Sequence, residues 1–194
     1  MVDSRHRASQ EFANAGRTLA TLPRDLRALE GAGPVGLAAA IFSDERPLLG
    51  VPSLVDFRLA GRLGQALRTG ALTGAFGERF LMPLGRRIGV PWLLLVGLGP
   101  RATFNEERAE AAFESLFDAI DGLQWATAAI EPPGLAAGLT TDDQALSLFG
   151  RFGARTDGIF LVLPPRAAAQ ERVSTRAPGK VATESGKPGR RFRP

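Results

Sequence analysis

The run Gly97-Leu98-Gly99-Pro100-Arg101-Ala102 has the G-x-G-x-x-A spacing of a dinucleotide fingerprint and directly follows an apolar stretch of strand length. Glycines at that spacing let backbone amides approach a pyrophosphate, and an acid after the next strand, here Glu131, would take a ribose hydroxyl. Gly97, Gly99 and Arg101 therefore form a candidate anion or nucleotide loop. Two details count against it. Pro100 removes an amide, and the helix that follows starts too late to bring its amino terminus to a phosphate. Glu131 also stands 29 residues after Ala102, where about 20 is usual. A tight strand-to-helix turn accounts for the same glycines. The second constellation is basic. Arg58 and Arg62 stand four residues apart, with Arg68, Arg79, Arg86 and Arg87 close in sequence, a candidate anion-binding patch if they share a face. An arginine-rich solvated surface is the plainer reading, and no aromatic residues are interleaved to stack on single-stranded nucleic acid. The chain has no cysteine and one histidine, His6, between Arg5 and Arg7. Disulfides, thiolate metal sites and a cysteine nucleophile are excluded, and a single histidine supports neither a triad nor a zinc site.

The elements that must carry these residues alternate between strand and helix. Val35–Phe42 is an unbroken apolar run closed by Ser43-Asp44-Glu45-Arg46-Pro47. Ser53 and Asp56 read as a capping box, and Val55, Leu59, Leu63 and Leu67 recur every four residues, predicting one helix to Thr69 with Gly70 as its stop. Gly61 and Gly64 within it point to close packing. Phe80–Leu84 reads as a short strand at an edge, because of Pro83, and Trp92–Val96 as a central strand buried on both faces. Thr103 and Glu106 predict the start of a helix with an apolar stripe through Ala109, Ala112, Phe113, Leu116, Phe117 and Ile120. Its acids Glu110, Glu114, Asp118 and Asp121 read as one solvated face. Trp125–Ile130 is a strand. Thr141 and Gln144 cap a helix carrying Ala145, Leu148, Phe149 and Phe152, and Ile159–Leu163 is the last strand. The phenylalanines on these stripes are core positions. Strands separated by helices imply crossovers, a mostly parallel sheet and helices on both faces. A weak helix around Ala8–Ala15 is the only element suggested before residue 21.

Net charge is +4 over 194 residues, but it is segregated. Residues 1–55 are neutral, 56–101 carry +5, 102–165 carry −7 and 166–194 carry +6. The body is thus slightly acidic, and the basic character belongs to a terminal segment. That segment, with Arg190, Arg191 and Arg193 near its end, is rich in Pro, Gly, Ser, Thr and Arg and lacks apolar periodicity. It is expected to be disordered, because it cannot bury enough surface to offset its ordering entropy. It could contact nucleic acid through phosphates, dock on the acidic segment, or act only as a solubilising tail. No apolar run is long enough to span a membrane and nothing at the start resembles a signal peptide, so a cytoplasmic protein without a membrane partner is expected.

The order of several motifs is recognisable. Asp56-Phe57-Arg58-Leu59-Ala60-Gly61-Arg62-Leu63, the turn Arg68–Gly74, Gly77-Glu78-Arg79-Phe80-Leu81-Met82-Pro83 and Leu93-Leu94-Leu95-Val96-Gly97-Leu98-Gly99 follow the apolar strand at 35–42. This series resembles the amino-terminal domain of the leucyl aminopeptidases, peptidase family M17, over residues 35–130 and more loosely to 163. The resemblance implies a three-layer macro-like α/β domain with a mostly parallel mixed sheet and helices on both faces. It divides the chain into an extension at 1–20, the domain at 21–165 and the tail at 166–194. In that family hydrolysis belongs to a separate carboxy-terminal domain with two metal ions, and the Asn-Thr-Asp-Ala-Glu-Gly-Arg motif of that domain is absent from this sequence. Its only lysines, Lys180 and Lys187, lie in the tail. A non-catalytic interaction, assembly or regulatory module is therefore expected, with no metal and no cofactor, associating with itself or with a partner protein. Two further readings stay open. Some members of the family bind DNA, which would use the arginine patch and tail. Related macro domains bind ADP-ribose, which would use the Gly97–Arg101 loop.

Overall fold

A computed structural model describes residues 18–152 and 158–163. The expected tail, its Arg190, Arg191 and Arg193, and the weak helix at Ala8–Ala15 lie outside the described residues. The strands are β1 (Thr18–Pro23), β2 (Gly36–Ile41), β3 (Arg79–Pro83), β4 (Trp92–Gly97), β5 (Thr127–Ile130) and β6 (Gly158–Leu163). They form one sheet in the order β1-β6-β5-β2-β4-β3. Every pairing is parallel except β3 with β4, so β3 is the antiparallel edge that Pro83 suggested. The helices are α1 (Leu26–Ala32), α2 (Gly50–Arg58), α3 (Arg62–Thr69), α4 (Glu106–Gly122) and α5 (Asp142–Phe152).

Strand alternation sorts the apolar side chains into two cores. Leu37, Ala39 and Ile41 of β2, with Leu93 and Leu95 of β4, meet Leu29, Val51, Val55, Leu59, Leu63 and Leu67 from α1, α2, α3 and the turn after α2. Ala38, Leu94, Val96, Ala128 and Ile130 point the other way and meet Phe113, Leu116, Phe117, Ile120 and Phe149 of α4 and α5. The Phe149 ring stands edge-on to Phe113 and Phe117, at centroid distances of 5.5 and 5.4 Å. Both faces of β2 and β4 are covered. That is why these strands read as unbroken apolar runs.

Local signals correct three sequence readings. The predicted helix from Ser53 to Thr69 is two helices, α2 and α3. Ala60 and Gly61 between them have φ of 55° and 82°, so Gly61 serves a left-handed turn, and no atom crowds the Cβ position there. Asp56 does not cap its own helix. Its Oδ1 accepts the amides of Leu63 and Gly64, at 2.8 and 3.1 Å, and so starts α3. The helix α2 begins at Gly50, with Pro52 in the first turn where its missing amide is harmless. Likewise α4 starts two residues later than a Thr103 cap predicts. Asn105 is its cap and accepts the Arg108 amide at 3.0 Å. The Thr141–Gln144 pair caps α5 reciprocally, as its spacing predicted. Finally, β1 and α1 add a strand and a helix where the sequence pattern predicts neither, and β1 takes in residues 18–20 of the expected extension.

Asp56→Ala removes the carboxylate from two otherwise open helix amides. We expect a loss of about 1 kcal/mol in urea unfolding, largely restored by Asp56→Asn. Equal losses in both variants would show that the carboxylate does not act as a cap.

Candidate functional site

The five parallel strands end along one edge of the sheet. From there β2 leads to α2 on one face, whereas its neighbours β4 and β5 lead to α4 and α5 on the other. A crevice opens where adjacent strands send their connections to opposite faces, the usual ligand position in open α/β sheets. Here it is bounded by the loops that follow β1, β2, β4 and β5. Gly97, Gly99, Arg101, Glu131, Glu45 and Arg24 all lie along it.

The glycine loop is held by the protein itself. The Gly97 amide donates to the Glu78 carbonyl at 2.8 Å, Leu98 to Ile41 at 2.9 Å and Gly99 to Gly74 at 2.9 Å. The Arg101 amide donates to Asp44 Oδ1 at 3.0 Å. Four donors that a phosphate would need thus meet protein acceptors. Gly97 is required because a Cβ there would stand 1.9 Å from the Ala75 carbonyl oxygen. The Arg101 guanidinium lies 5.4 Å from the Phe42 ring centroid, within cation–π range. The 73–75 turn behind the loop is fixed by Glu78. Its carboxylate accepts the Thr73 hydroxyl at 2.8 Å and the Gly74 amide at 2.6 Å. Burial pushes that carboxyl up, but the bonds from Thr73, Gly74 and Ala75 outweigh burial and hold it below the usual range.

Glu131 occupies a different place from the ribose-binding role its sequence position suggested. It is 2% exposed, and its Oε2 accepts the Val51 amide at the start of α2, at 2.7 Å. Gly50 is needed there, because a Cβ would fall 2.1 Å from the same carboxylate. Arg24, at the end of β1, places its Nε in ion-pair contact with Glu131 Oε1. Arg24 Nη2 is buried with no hydrogen-bond partner among the described residues. Glu45, 3% exposed, accepts the Leu49 amide at 2.8 Å. Two buried carboxylates and a guanidinium therefore line the crevice on the α2 side. Sequence reading did not single out Arg24 or Glu45, since each sits in a polar connection that looks solvent-exposed.

Burial pushes the Glu131 carboxyl above the usual carboxylate range, and the Arg24 guanidinium and the Val51 amide only partly offset it. Burial pushes Glu45 up as well, against the Leu49 amide and the positive charges of Arg101 and Arg46. Both groups therefore hold a proton more readily in the folded than in the unfolded chain. Their contribution to stability is full below the unfolded value of 4.5 and is lost as pH rises through the raised folded values. Unfolding by urea at about pH 5 and about pH 7 should find the protein more stable at the lower pH. The double variant Glu45→Gln, Glu131→Gln should flatten that difference. A slope of the opposite sign, unchanged in the double variant, would contradict the assignment.

The arginine patch is only partly assembled. Arg58 Nε donates to the Arg87 carbonyl at 3.0 Å, which brings the end of α2 to the turn holding Arg86 and Arg87. Arg62 lines a shallow hollow between α3 and β3, and Arg68 lies along its own helix towards Gly64. Arg79 leaves the group. It projects to the opposite face, where its Nε donates to Ser115 Oγ at 3.0 Å. On that face a cavity of about 230 Å³ opens between α4 and α5, beside Phe104, Leu139 and Leu148, with Glu106 and Glu110 on its lining.

The family model of the cytosol aminopeptidase family, N-terminal domain, matches residues 39–146, more than half of the chain. The chain belongs to that family. Its matched part is the amino-terminal domain, and no part of the catalytic domain is matched. Comparison with curated proteins finds no match. Among solved structures, the macrodomain of Mycobacterium tuberculosis DarG is similar at 18% identity and a TM-score of 0.56, covering 77% of this chain and 99% of that one. A mutant leucine aminopeptidase from tomato is similar at 16% identity and a TM-score of 0.51, covering 80% of this chain. The match spans 34% of that enzyme. Thermosipho africanus DarTG, solved in complex with ADP-ribose, is similar at 14% identity and a TM-score of 0.53, covering 79% of this chain and 41% of that one. These likenesses establish a macrodomain-like fold for this M17 amino-terminal domain. Within it, the crevice at the strand ends holds Glu131, Arg24 and Glu45, and the amides of the glycine loop meet protein acceptors. Among the described residues no helix is long and apolar enough to cross a membrane.

Proposed function

We propose that this M17 amino-terminal domain is a non-catalytic interaction and assembly module, acting through its outer faces. The observation that carries the reading is that backbone amides lining the crevice already have protein acceptors. The Val51 amide, which a ligand anion would use at the start of α2, is taken by Glu131, and the Arg101 amide is taken by Asp44. Displacing the buried Glu131 carboxylate would separate it from the Val51 amide and the Arg24 guanidinium, at roughly 1–3 kcal/mol for each buried group left without a partner, whereas Asp44 and Arg101 are exposed and their contact is weaker. A nucleotide would have to overcome that before gaining affinity. Catalysis by paired metal ions needs several carboxylates converging on one point. Among the described residues no group of three His, Cys, Asp or Glu is placed to hold an ion.

Thermal unfolding with ADP-ribose, ATP and inorganic phosphate tests the reading. A ligand at 100 times its Kd adds about 2.7 kcal/mol to stability, so a binder is easily seen. No shift is expected from any of the three, and no release of amine from leucinamide with added Mn²⁺ or Zn²⁺. Saturable stabilisation by ADP-ribose would replace this reading with that of a macrodomain-type ligand binder, and turnover of leucinamide would end the non-catalytic part.

A further inference from the structure

Phe57 is 87% exposed, an unusual position for a large aromatic ring on a helix that buries Val51, Pro52 and Val55. It stands near the end of α2, followed by Arg58, which is pinned to the turn carrying Arg86 and Arg87. Arg62 follows at the start of α3. The result is an exposed aromatic knob beside the arginines at the end of α2 and in the turn to which Arg58 is bonded. The opposite face of the sheet holds a cavity large enough for a ring. The cavity between α4 and α5 has an apolar wall of Phe104, Leu139 and Leu148, and Leu139 is 46% exposed. Its volume of about 230 Å³ exceeds the roughly 150 Å³ that suffices for a benzene ring. Glu106 and Glu110 lie at its edge. Glu110 is paired with Arg151 across the helices, while Glu106 has no ion-pair partner among the described residues. The acids of α4 continue this charge along the face.

We propose that a second copy of this chain docks here, with Phe57 of one copy seated in the α4–α5 cavity of the next. The inference rests on reading the domain as an interaction module and names its partner. Charge sets the pairing. Arg58, Arg62, Arg86 and Arg87 stand on the knob side, while Glu106, Glu107, Glu114 and Asp121 of α4 outnumber the arginines on the cavity side, where Arg151 pairs with Glu110 and Arg79 reaches Ser115, so like faces repel and unlike faces attract. A chain cannot satisfy itself, because the sheet separates α2 from α4 and α5. The contact is therefore heterologous, each copy offering one knob and one cavity, and it propagates into a ring or an open chain. A buried aromatic anchor with a charged rim is the usual energetic centre of such an interface.

Sedimentation of the full chain across a concentration series to about 1 mM, where weak contacts become populated, tests it. Wild type should show reversible association that weakens with added salt as rim charges are screened. Phe57→Glu removes the knob and Ser147→Trp fills the cavity. Each alone should sediment as a monomer, with at least a tenfold weaker association. Mixed together, they should form one-to-one pairs and stop, since one knob and one cavity remain. Both positions are exposed, and circular dichroism checks that each variant is folded. If Ser147→Trp does not fold, Leu139→Asp at the cavity edge replaces it. A monomeric wild type at every concentration overturns the proposal. Association that Phe57→Glu leaves intact also overturns it, while the interaction-module reading survives. Association reversed only by a nucleic acid competitor points to a different partner and overturns the self-docking. Stabilisation by ADP-ribose, tested separately, is what would remove the broader reading.

Discussion

Glu131→Ala should destabilise the fold by about 3 kcal/mol, at the lower end of the range for breaking a buried ion pair. The carboxylate is 2% exposed and joins three segments distant in sequence: β5, the start of α2 and the end of β1. Removing it strands the Val51 amide and leaves the Arg24 guanidinium beside a cavity. The Arg24 side chain retains 19% of its exposure, so water can reach part of it, which is why the lower end applies. Glu131→Gln keeps an acceptor for Val51 and should lose less. The decisive comparison is the double variant Arg24→Met, Glu131→Leu. Replacing both members of a buried pair by apolar groups is often close to neutral, so the double variant should be more stable than Glu131→Ala alone. Urea unfolding of the three proteins measures this. If Glu131→Ala unfolds like wild type, or the double variant is the worst, the pair does not hold these segments together.

Gly97→Ala is the second large effect, and it tests the glycine loop as structure. The new Cβ would stand 1.9 Å from the Ala75 carbonyl oxygen. That oxygen cannot retreat cheaply, since Glu78 holds the 73–75 turn by several hydrogen bonds. Relief must come from moving β4, which would loosen the bonds of the Gly97 amide to Glu78 and of the Gly77 amide to the Gly97 carbonyl. Overpacking of a close-packed site costs about 1–3 kcal/mol and sometimes more. A loss of about 3 kcal/mol is expected, without any ligand present. Gly99→Ala supplies the contrast. Its nearest obstacles are Arg108 and Phe76 side-chain atoms at 3.2 and 3.3 Å, but its φ of +71° is strained for a side chain, so about 1 kcal/mol is expected there. Unfolding free energies of the two variants decide it. A Gly97→Ala protein as stable as wild type would mean that the glycine is not required by packing.

What was legible in the sequence follows from where each signal resides. Strands β2 and β4 are covered on both faces, so burial wrote itself into unbroken apolar runs. Helix α4 is covered on one face, so its stripe was legible too. The break between α2 and α3 was not, because Leu59, Leu63 and Leu67 keep facing the same core on either side of it, and the four-residue recurrence continues through the turn. Asp56 misled for a related reason. A carboxylate three residues after a serine looks the same whether it caps its own helix or the next one. β1 reads Thr-Leu-Ala-Thr-Leu-Pro, with threonine at every third position, so it lacks the two-residue alternation that marks a strand. The polar contents of the crevice were the least readable part. Arg24, Glu45 and Glu131 each stand in a connection, and nothing local distinguishes a buried charge from a solvated one. Glu131 was noticed for its distance from a glycine run, and the structure gives it an amide and a guanidinium as partners.

The edge strand β3 closes one side of the sheet with only β4 beside it. A free strand edge is a template on which further chains can add, and unprotected ones lead to ribbons and precipitates. This edge is five residues long, begins on the exposed charge of Arg79 and ends on Pro83, which has no amide to offer. An incoming strand would find a short, interrupted ladder and a charged obstacle at its start. Growth by backbone pairing is therefore disfavoured here. Concentrated solutions of the molecule should resist the irreversible aggregation that an open hydrogen-bonding edge would otherwise invite.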